Sequence, residues 1–348
     1  MDYSPEHWMS DIYESIKNKP INGICWPASH DSGMSAVNKS LHSLVANECN
    51  TKTQSKTIGE QLGSGVRVFD LRPFMWLSRE GKSKYLAHFN YDPALGACGE
   101  SLSSALSSVL EFINRKGNEK EVVFLQFSHC YKLGYTEMPV TNIKFDNTVL
   151  SPFSVNDIED LKIDISSVLG GDVYVSDNSD VNVGTLKLDD VVNSGRRVFV
   201  TIQDESFRPD VASGFLSIQT PKYHYIRKMN SCVSYSDSIN VKSFYQYADT
   251  SSLEVMEEAE RKMLEKYPTC YEAGDGVFSG LSWTLTRTDW AFGECIHVLA
   301  EKANNAFPGK INDYLKDGVI TKKTKPSVVW FDYYSEACLE PLIMLNRL

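Results

Sequence analysis

The sequence is short of several features that would each point to a function class. Its eight cysteines, at positions 25, 49, 98, 130, 232, 270, 295 and 338, lie far apart, with no C-x-x-C pair and no zinc-like spacing to histidine. That argues against a structural metal site. Cys25 and Cys295 sit inside apolar patterns and read as buried thiols, while the even count permits disulfides without demonstrating one. No run reaches the roughly 18 apolar residues of a membrane span. The opening, MDYSPEHWMSDIYESI, has neither a basic start nor an apolar stretch, so no signal peptide is expected; the protein is read as cytoplasmic, or as secreted with its leader absent. A net charge of −10 is relieved by no block of Lys and Arg, and without such a block nucleic acid is not an expected partner. Internal repeats, low-complexity tracts and a clear linker are missing as well.

What is present is the composition of a globular chain: 348 residues, 42% hydrophobic and 23% charged, enough to bury a sizeable core. Barrels of alternating strands and helices run to this length as single units, so one monomeric domain over residues 1–348 is expected. Apolar, β-branched runs predict eight strands, at 21–26, 66–71, 85–88, 122–127, 197–202, 241–245, 277–285 and 327–332. Helical periods fall between them: Leu102, Leu106, Val109, Leu110 and Ile113 share one face, and Ser251 with Glu254 forms a capping-box pattern ahead of Met256, Ala259 and Met263. Two further helices are expected over 290–303 and after Glu336. Alternation of strand and helix implies a mainly parallel sheet, and eight strands imply a TIM-type (β/α)8 barrel, irregular or incompletely closed. Residues 132–193 and 205–240, polar and rich in Ser, Asp and Asn, read as long loops over the barrel mouth.

In such a barrel, reactive groups gather at the C-terminal ends of strands. Here the first run leads into Ala28-Ser29-His30-Asp31-Ser32-Gly33, the second ends in Asp70 and Arg72, the third in His88 and the last in Asp332. Residues two apart on a strand share a face. Val66, Val68, Asp70 and Arg72 therefore share a face, so that Asp70 and Arg72 enter the mouth together as a pre-oriented ion pair, and Val328, Trp330 and Asp332 share a face in the same way. Each residue also has a plainer role open to it: a structural ion pair for Asp70 and Arg72, a turn for His30-Asp31, a packed ring for His88, a loop acceptor for Asp332. Their coincidence at successive strand ends favours chemistry. One neutral histidine as general base, a carboxylate to orient it, a protonated histidine for the leaving oxygen and an arginine for developing charge suit phosphodiester cleavage without a metal or other cofactor.

These residues resemble the phosphatidylinositol-specific phospholipase C X-domain family, in its metal-independent form. The resemblance lies in Trp8-Met9, the ASHDSG core of 21–33, TIGEQLGSGVRVFDLR at 57–72, EVVFLQFSH at 121–129, LSWTLT at 281–286 and VVWFDYY at 328–334. It implies His30 as general base oriented by Asp332, Arg72 in place of calcium, Asp31 beside Arg72 and the phosphate, and His88 as general acid. The implied reaction is attack of the inositol 2-hydroxyl on phosphorus, giving diacylglycerol and a cyclic inositol phosphate. Headgroup contacts are then sought at Asp70, Ser128, His129, Gln203 and Asp249, with Gln246 as an alternative to Asp249. Ser128-His129 stands where the bacterial secreted enzymes carry a lysine, and Gln203 lies near the position of their headgroup arginine. The expected partner is a phospholipid at a membrane surface, reached by peripheral contact through aromatics such as Trp76, Tyr131, Tyr135, Tyr333 and Tyr334 rather than through the whole-molecule field. Two alternatives stay open: a metal-using phosphodiesterase for another glycerophospho- or sphingophospho-substrate on the same barrel, and a non-catalytic headgroup-binding module.

Overall fold

A computed structural model describes residues 3–41, 46–78, 81–91, 94–136, 147–174, 181–202, 225–232, 236–245, 247–270, 276–288 and 293–348. Seven parallel strands form its central sheet: β1 (Trp26–Ser29), β2 (Val68–Leu71), β3 (Val123–Phe127), β4 (Val198–Ile202), β5 (Ser236–Tyr245), β6 (Val277–Trp283) and β7 (Val328–Phe331). Pairing runs β5-β6-β7-β1-β2-β3-β4, which is chain order cut once and rotated. That cyclic order, with Trp26 opposite Val328 and Ala28 opposite Val68, is the signature of a curled barrel sheet. Among the described residues no ladder joins β4 to β5. Instead β5 pairs with antiparallel Tyr225–Cys232 and with the short parallel strand Val181–Asn182, so the barrel is incompletely closed, as expected.

Apolar side chains make this sheet a packed core rather than a pore. All the residues of β1, β4 and β6 are buried, as parallel strands covered on both faces require. Phe124 of β3 meets Trp26 of β1, Phe199 of β4 and Phe278 of β6 at ring-centroid distances of 5.2, 4.7 and 6.1 Å. Rings from β3 and β6, far apart in the sheet order, touch only because they fill the same interior. Outside, helices Leu102–Asn114, Val155–Leu169, Leu253–Cys270 and Ile296–Lys316 cover the sheet. No helix among the described residues is long and apolar enough to cross a membrane.

Several expectations need correction. The first strand begins at Trp26, because Ile21–Gly23 is a 3-10 turn. The third predicted strand, 85–88, is not in the barrel: it belongs to Gly81–Tyr91, part of a six-stranded, mainly antiparallel sheet ordered Lys39–Leu41, Ala94–Ser101, Gly81–Tyr91, Pro73–Ser78, Tyr131–Thr136, Asn147–Pro152. A β-rich run shows its period but not its partner. Residues 132–193 are not one loop, since they contain two of these strands, helix Val155–Leu169 with a Ser154 capping box, and helix Leu188–Asn193; the apolar face of Ile158, Leu161, Ile165 and Leu169 was masked by its polar setting. Residues 205–240 likewise contain Tyr225–Cys232 and the first part of β5, while 203–224 lie outside the described residues. The helix placed over 290–303 is Ile296–Lys316, and 289–292 are not described. The helix after β5 starts at Leu253, with the Ser252 hydroxyl, not that of Ser251, accepting from Val255 N. Cys25 is a buried thiol, but Cys295 is disulfide-bonded to Cys49.

The six-stranded sheet matters for position. Every one of its strands follows the C-terminal end of β1, β2 or β3 in the chain, so it builds a wall on the mouth side. Its small core is Phe74, Ala87, Phe89, Cys98 and Leu133. Gly33 lets this wall come close, because a Cβ there would lie 2.2 Å from Leu86 Cβ, on the strand that carries His88.

Candidate active site

The mouth is lined by turns in an unusual backbone state. The four non-glycine residues with positive φ among those described are Asp31 (41°), His129 (51°), Asp249 (46°) and Tyr333 (44°). They follow the ends of β1, β3, β5 and β7 by two, two, four and two residues. Left-handed conformations cost L-residues energy and cluster where side chains must be re-aimed.

His30 is the centre. Its Nδ1 lies 2.8 Å from Asp332 Oδ1, its Nε2 lies 2.9 Å from Arg72 Nη2 and 3.6 Å from Asp31 Oδ2. A carboxylate only accepts, so Nδ1 carries the hydrogen; a guanidinium only donates, so the Arg72 contact belongs to the neutral ring with a lone pair on Nε2. Burial disfavours the charged ring, but Asp31 and Asp332 outweigh it and raise the pKa to about 9. Arg72 opposes that rise, and protonating Nε2 would set donor against donor, so Arg72 guards the base form.

Arg72 follows β2 and is held by carboxylates. Its Nε and Nη2 donate to Asp70 Oδ2 at 3.1 and 2.9 Å, and its Nε also makes a charge contact with Asp31 Oδ1. Asp70 accepts in addition from Asp31 N and from Ser128 Oγ, at 3.2 and 3.1 Å. Burial alone would raise the Asp70 pKa, yet Arg72, then His30 and His129, hold it well below the usual carboxylate range. Ser128, its hydroxyl spent on Asp70, accepts from His129 Nδ1 at 2.9 Å. Asp31 differs from Asp70: its side chain is fully buried and neither oxygen accepts a hydrogen bond.

His88 faces this group from the wall. Its Nδ1 sits 3.2 Å from the Thr51 carbonyl and 3.6 Å from Asp31 Oδ2, so Nδ1 carries a hydrogen and Nε2 is the atom left for substrate. Burial lowers its pKa below 6.5, with Arg72 and His30 adding to the effect and Asp31 opposing it. His30, Asp31 and Asp70 also bring potential metal-ligand atoms within 4.8 Å of one another. The guanidinium of Arg72 already pairs with both carboxylates, and a divalent cation among them would meet that positive charge at close range.

His30, Asp31, Asp70, Arg72, His88, Ser128, His129 and Asp332 are thus brought together. Asp249 is not: it stands exposed at the rim. From the same turn Tyr247 reaches inward, hydrogen-bonded to Thr286 Oγ1. Burial pushes its pKa up to about 12, with Asp249 and Asp332 adding and Arg72 opposing, so its hydroxyl feels the charges of the mouth. Gln203 and Gln246 lie outside the described residues. Sequence reasoning also missed Thr53 and Gln54, whose side chains donate to the Asp31, His30 and Phe331 carbonyls; a buried glutamine leaves no periodic trace.

No protein-family model matches the chain. A PI-PLC X-box domain-containing protein of Dictyostelium discoideum is 29% identical over 134 residues, 36% of this chain and 16% of that protein. PI-PLC X domain-containing protein 3 of Mus musculus is 29% identical over 143 residues, 36% of this chain and 42% of its own length. The matched stretch thus spans less than half of either relative. A 1-phosphatidylinositol phosphodiesterase of Staphylococcus aureus is 41% identical over 69 residues, 20% of each chain. Among solved structures, the phosphatidylinositol-specific phospholipase C of S. aureus superposes with a TM-score of 0.63 at 17% identity, covering 100% of this chain and 99% of that one. The enzyme of that name from Listeria monocytogenes gives 0.60 at 13% identity, covering 99% of each. The resemblance to PI-PLC X-domain proteins read from the sequence is borne out, and the fold is the barrel of the phosphatidylinositol-specific phospholipases C.

Proposed function

We propose that this chain is a phosphodiesterase that cleaves phosphatidylinositol, or a related inositol phospholipid, at a membrane surface without a bound metal. The observation that carries the reading is His30, with Asp332 on one ring nitrogen and Arg72 on the other. His30 Nε2 takes the proton of the inositol 2-hydroxyl as its oxygen attacks phosphorus, and Asp332 steadies the imidazolium that results. Arg72, shared between its carboxylates and the substrate, faces the phosphoryl oxygens as charge builds on them. His88 Nε2 protonates the glycerol oxygen as the P–O bond breaks, releasing diacylglycerol and a cyclic inositol phosphate. Asp70 and Ser128 hold Arg72 and His129 toward the headgroup; Gln203 and Asp249 remain headgroup candidates.

The protonation pattern supports this with a twist. Asp31 and Asp332 raise the His30 pKa to about 9 and burial lowers that of His88, so electrostatics favour the proton on His30, at the expense of the contact that its neutral Nε2 makes with Arg72, and the proton must sit on His88 for turnover. Such reverse protonation still gives a bell-shaped kcat/KM profile, but the alkaline limb near pH 9 then belongs to the base. A bound phosphate beside His88 favours the required arrangement.

Diacylglycerol release from phosphatidylinositol vesicles tests the reading. Activity should persist in a chelator, and His30→Ala should cost at least about a thousandfold in kcat. Strict dependence on calcium or magnesium would instead favour the metal-using alternative at His30, Asp31 and Asp70. Wild type and variant equally inert, with headgroup binding intact, would favour a binding module.

A further inference from the structure

The segment between β1 and β2 carries a set of contacts that the chemistry above does not use. It touches the turns after β1 and β7 and the His88 ring without contributing a reacting group. Thr51 offers its carbonyl to His88 Nδ1 at 3.2 Å. Thr53 Oγ1 donates to the Asp31 carbonyl at 2.8 Å, and the Thr53 carbonyl accepts from Tyr333 N at 2.6 Å. Gln54 does most. Its Nε2 donates to the carbonyls of His30 and Phe331 at 2.8 and 3.0 Å, while its Oε1 accepts from Tyr334 N at 3.1 Å. One buried amide, 1% exposed, therefore ties the turn that bears His30 to the turn that bears Asp332.

The same segment is fastened at its start. Cys49, in the short helix Glu48–Thr51, is bonded to Cys295, the residue before helix Ile296–Lys316. From that helix Asn304 Nδ2 donates to the Asp332 and Tyr333 carbonyls, both at 3.0 Å. The two elements gripping the Asp332 turn from opposite sides are thus linked covalently. Both cysteines are partly buried and line a surface groove with Lys52, His297 and Tyr333.

We propose that Gln54 is a positioning residue that sets the His30–Asp332 pair, and that the Cys49–Cys295 disulfide fastens the brace that carries it. The inference rests on the proposed function for its kinetic consequence but not for its geometry. Backbone turns held at positive φ relax when their anchors go, and a base displaced by about 1 Å loses on the order of a hundredfold in rate. Reduction of the disulfide loosens the brace and moves the site in the same direction.

The test uses the full chain with isotope-labelled histidine, following the His30 titration by NMR beside the vesicle assay. The groups facing His30 are Asp31, Asp332, Arg72 and, through Asp31, His88 and Asp70. Gln54→Leu keeps the volume and removes all three hydrogen bonds; it should lower kcat about a hundredfold, leave KM near its wild-type value, and bring the His30 midpoint down toward that of a free imidazole. Gln61→Leu is the control. Gln61 is equally buried and donates to two carbonyls, of Ser32 and Lys56, so it should cost comparable stability while His30 titrates as in wild type. If Gln54→Leu does not fold, Gln54→Met, which also keeps the volume and adds no charge, is read the same way. Gln54 variants with the wild-type midpoint and kcat, or a Gln61 variant that shifts His30 equally, would overturn the positioning role. Reduction that leaves both readouts unchanged in the folded protein would overturn the role of the disulfide. A wild type that titrates as described yet releases no diacylglycerol refutes the function proposed above and leaves the brace standing.

Discussion

Strand β2 carries a buried arginine–carboxylate system at each end, and the two are built differently. Arg67, just before it, is fully buried with Glu121. Its Nε and Nη2 both donate to Glu121 Oε2, at 2.9 and 2.7 Å, and its remaining hydrogens go to the carbonyls of Leu62, Val66 and Glu6. Glu121 Oε1 accepts from Ser10 N and Oγ, and the guanidinium lies 4.6 Å from the Phe112 ring centroid. Nothing there is left over. At the other end, Arg72 meets two carboxylates and a histidine, and Asp31 keeps two buried oxygens that accept no hydrogen bond. Full satisfaction suits a pair that holds the fold; a shortfall ringed by turns of positive φ is what the proposed ligand site would require.

That contrast breaks down if the two arginines behave alike. Arg72→Ala should lose on the order of a thousandfold in kcat, the scale of removing a main oxyanion donor, while its urea midpoint falls less, since Arg72 and Asp70 keep some contact with solvent. Arg67→Met should do the reverse. Leaving Glu121 buried without its cation costs about 3–5 kcal/mol, read as a large fall in the urea midpoint, with kcat retained in the protein that remains folded. Loss of stability from Arg72→Ala as large as that from Arg67→Met would make the mouth a structural ion pair after all.

Next in size is a shift in pH dependence. Asp332→Asn removes one of the carboxylates that raise the His30 pKa, so the ring gives up its proton at lower pH. With the base titrating above the acid, the alkaline limb of kcat/KM should move down from near 9 while the acidic limb stays. If the acidic limb moves instead, the two histidines hold their protons in the conventional order.

How much of this was legible in the sequence follows from the same physics. Strand period put Asp70 and Arg72 on one face, and alternation of elements gave the barrel, because both depend on local pattern. The wall was not legible: Gly81–Tyr91 has the composition of a barrel strand, and nothing in that run itself shows that it pairs antiparallel with Pro73–Ser78 and Ala94–Ser101. His88 therefore reaches the mouth from the wall and not from the barrel strand expected. Tyr247 was passed over for the residues on either side of it, since a turn of positive φ at Asp249 re-aims side chains in a way that no periodicity reveals. The Cys49–Cys295 bond joins residues 246 apart, a pairing that spacing cannot choose among eight thiols.

The smallest expected effect tests the shortfall itself. Asp31 and Glu121 are both fully buried carboxylates against an arginine, so a conventional reading would have Asp31→Asn and Glu121→Gln destabilise alike. Glu121→Gln strips charge from an acceptor with every lone pair in use and should cost about 1–3 kcal/mol. Asp31→Asn removes a buried charge that pairs with Arg72 but accepts no hydrogen bond, and Arg72 keeps Asp70, so folding should be unchanged or stabler by about 1 kcal/mol. The same substitution withdraws one of the charges acting on both histidines, and activity should fall even as the urea midpoint holds or rises. A stability loss at Asp31 matching that at Glu121 would mean its carboxylate serves the fold, and the open oxygens would no longer mark the place of a substrate.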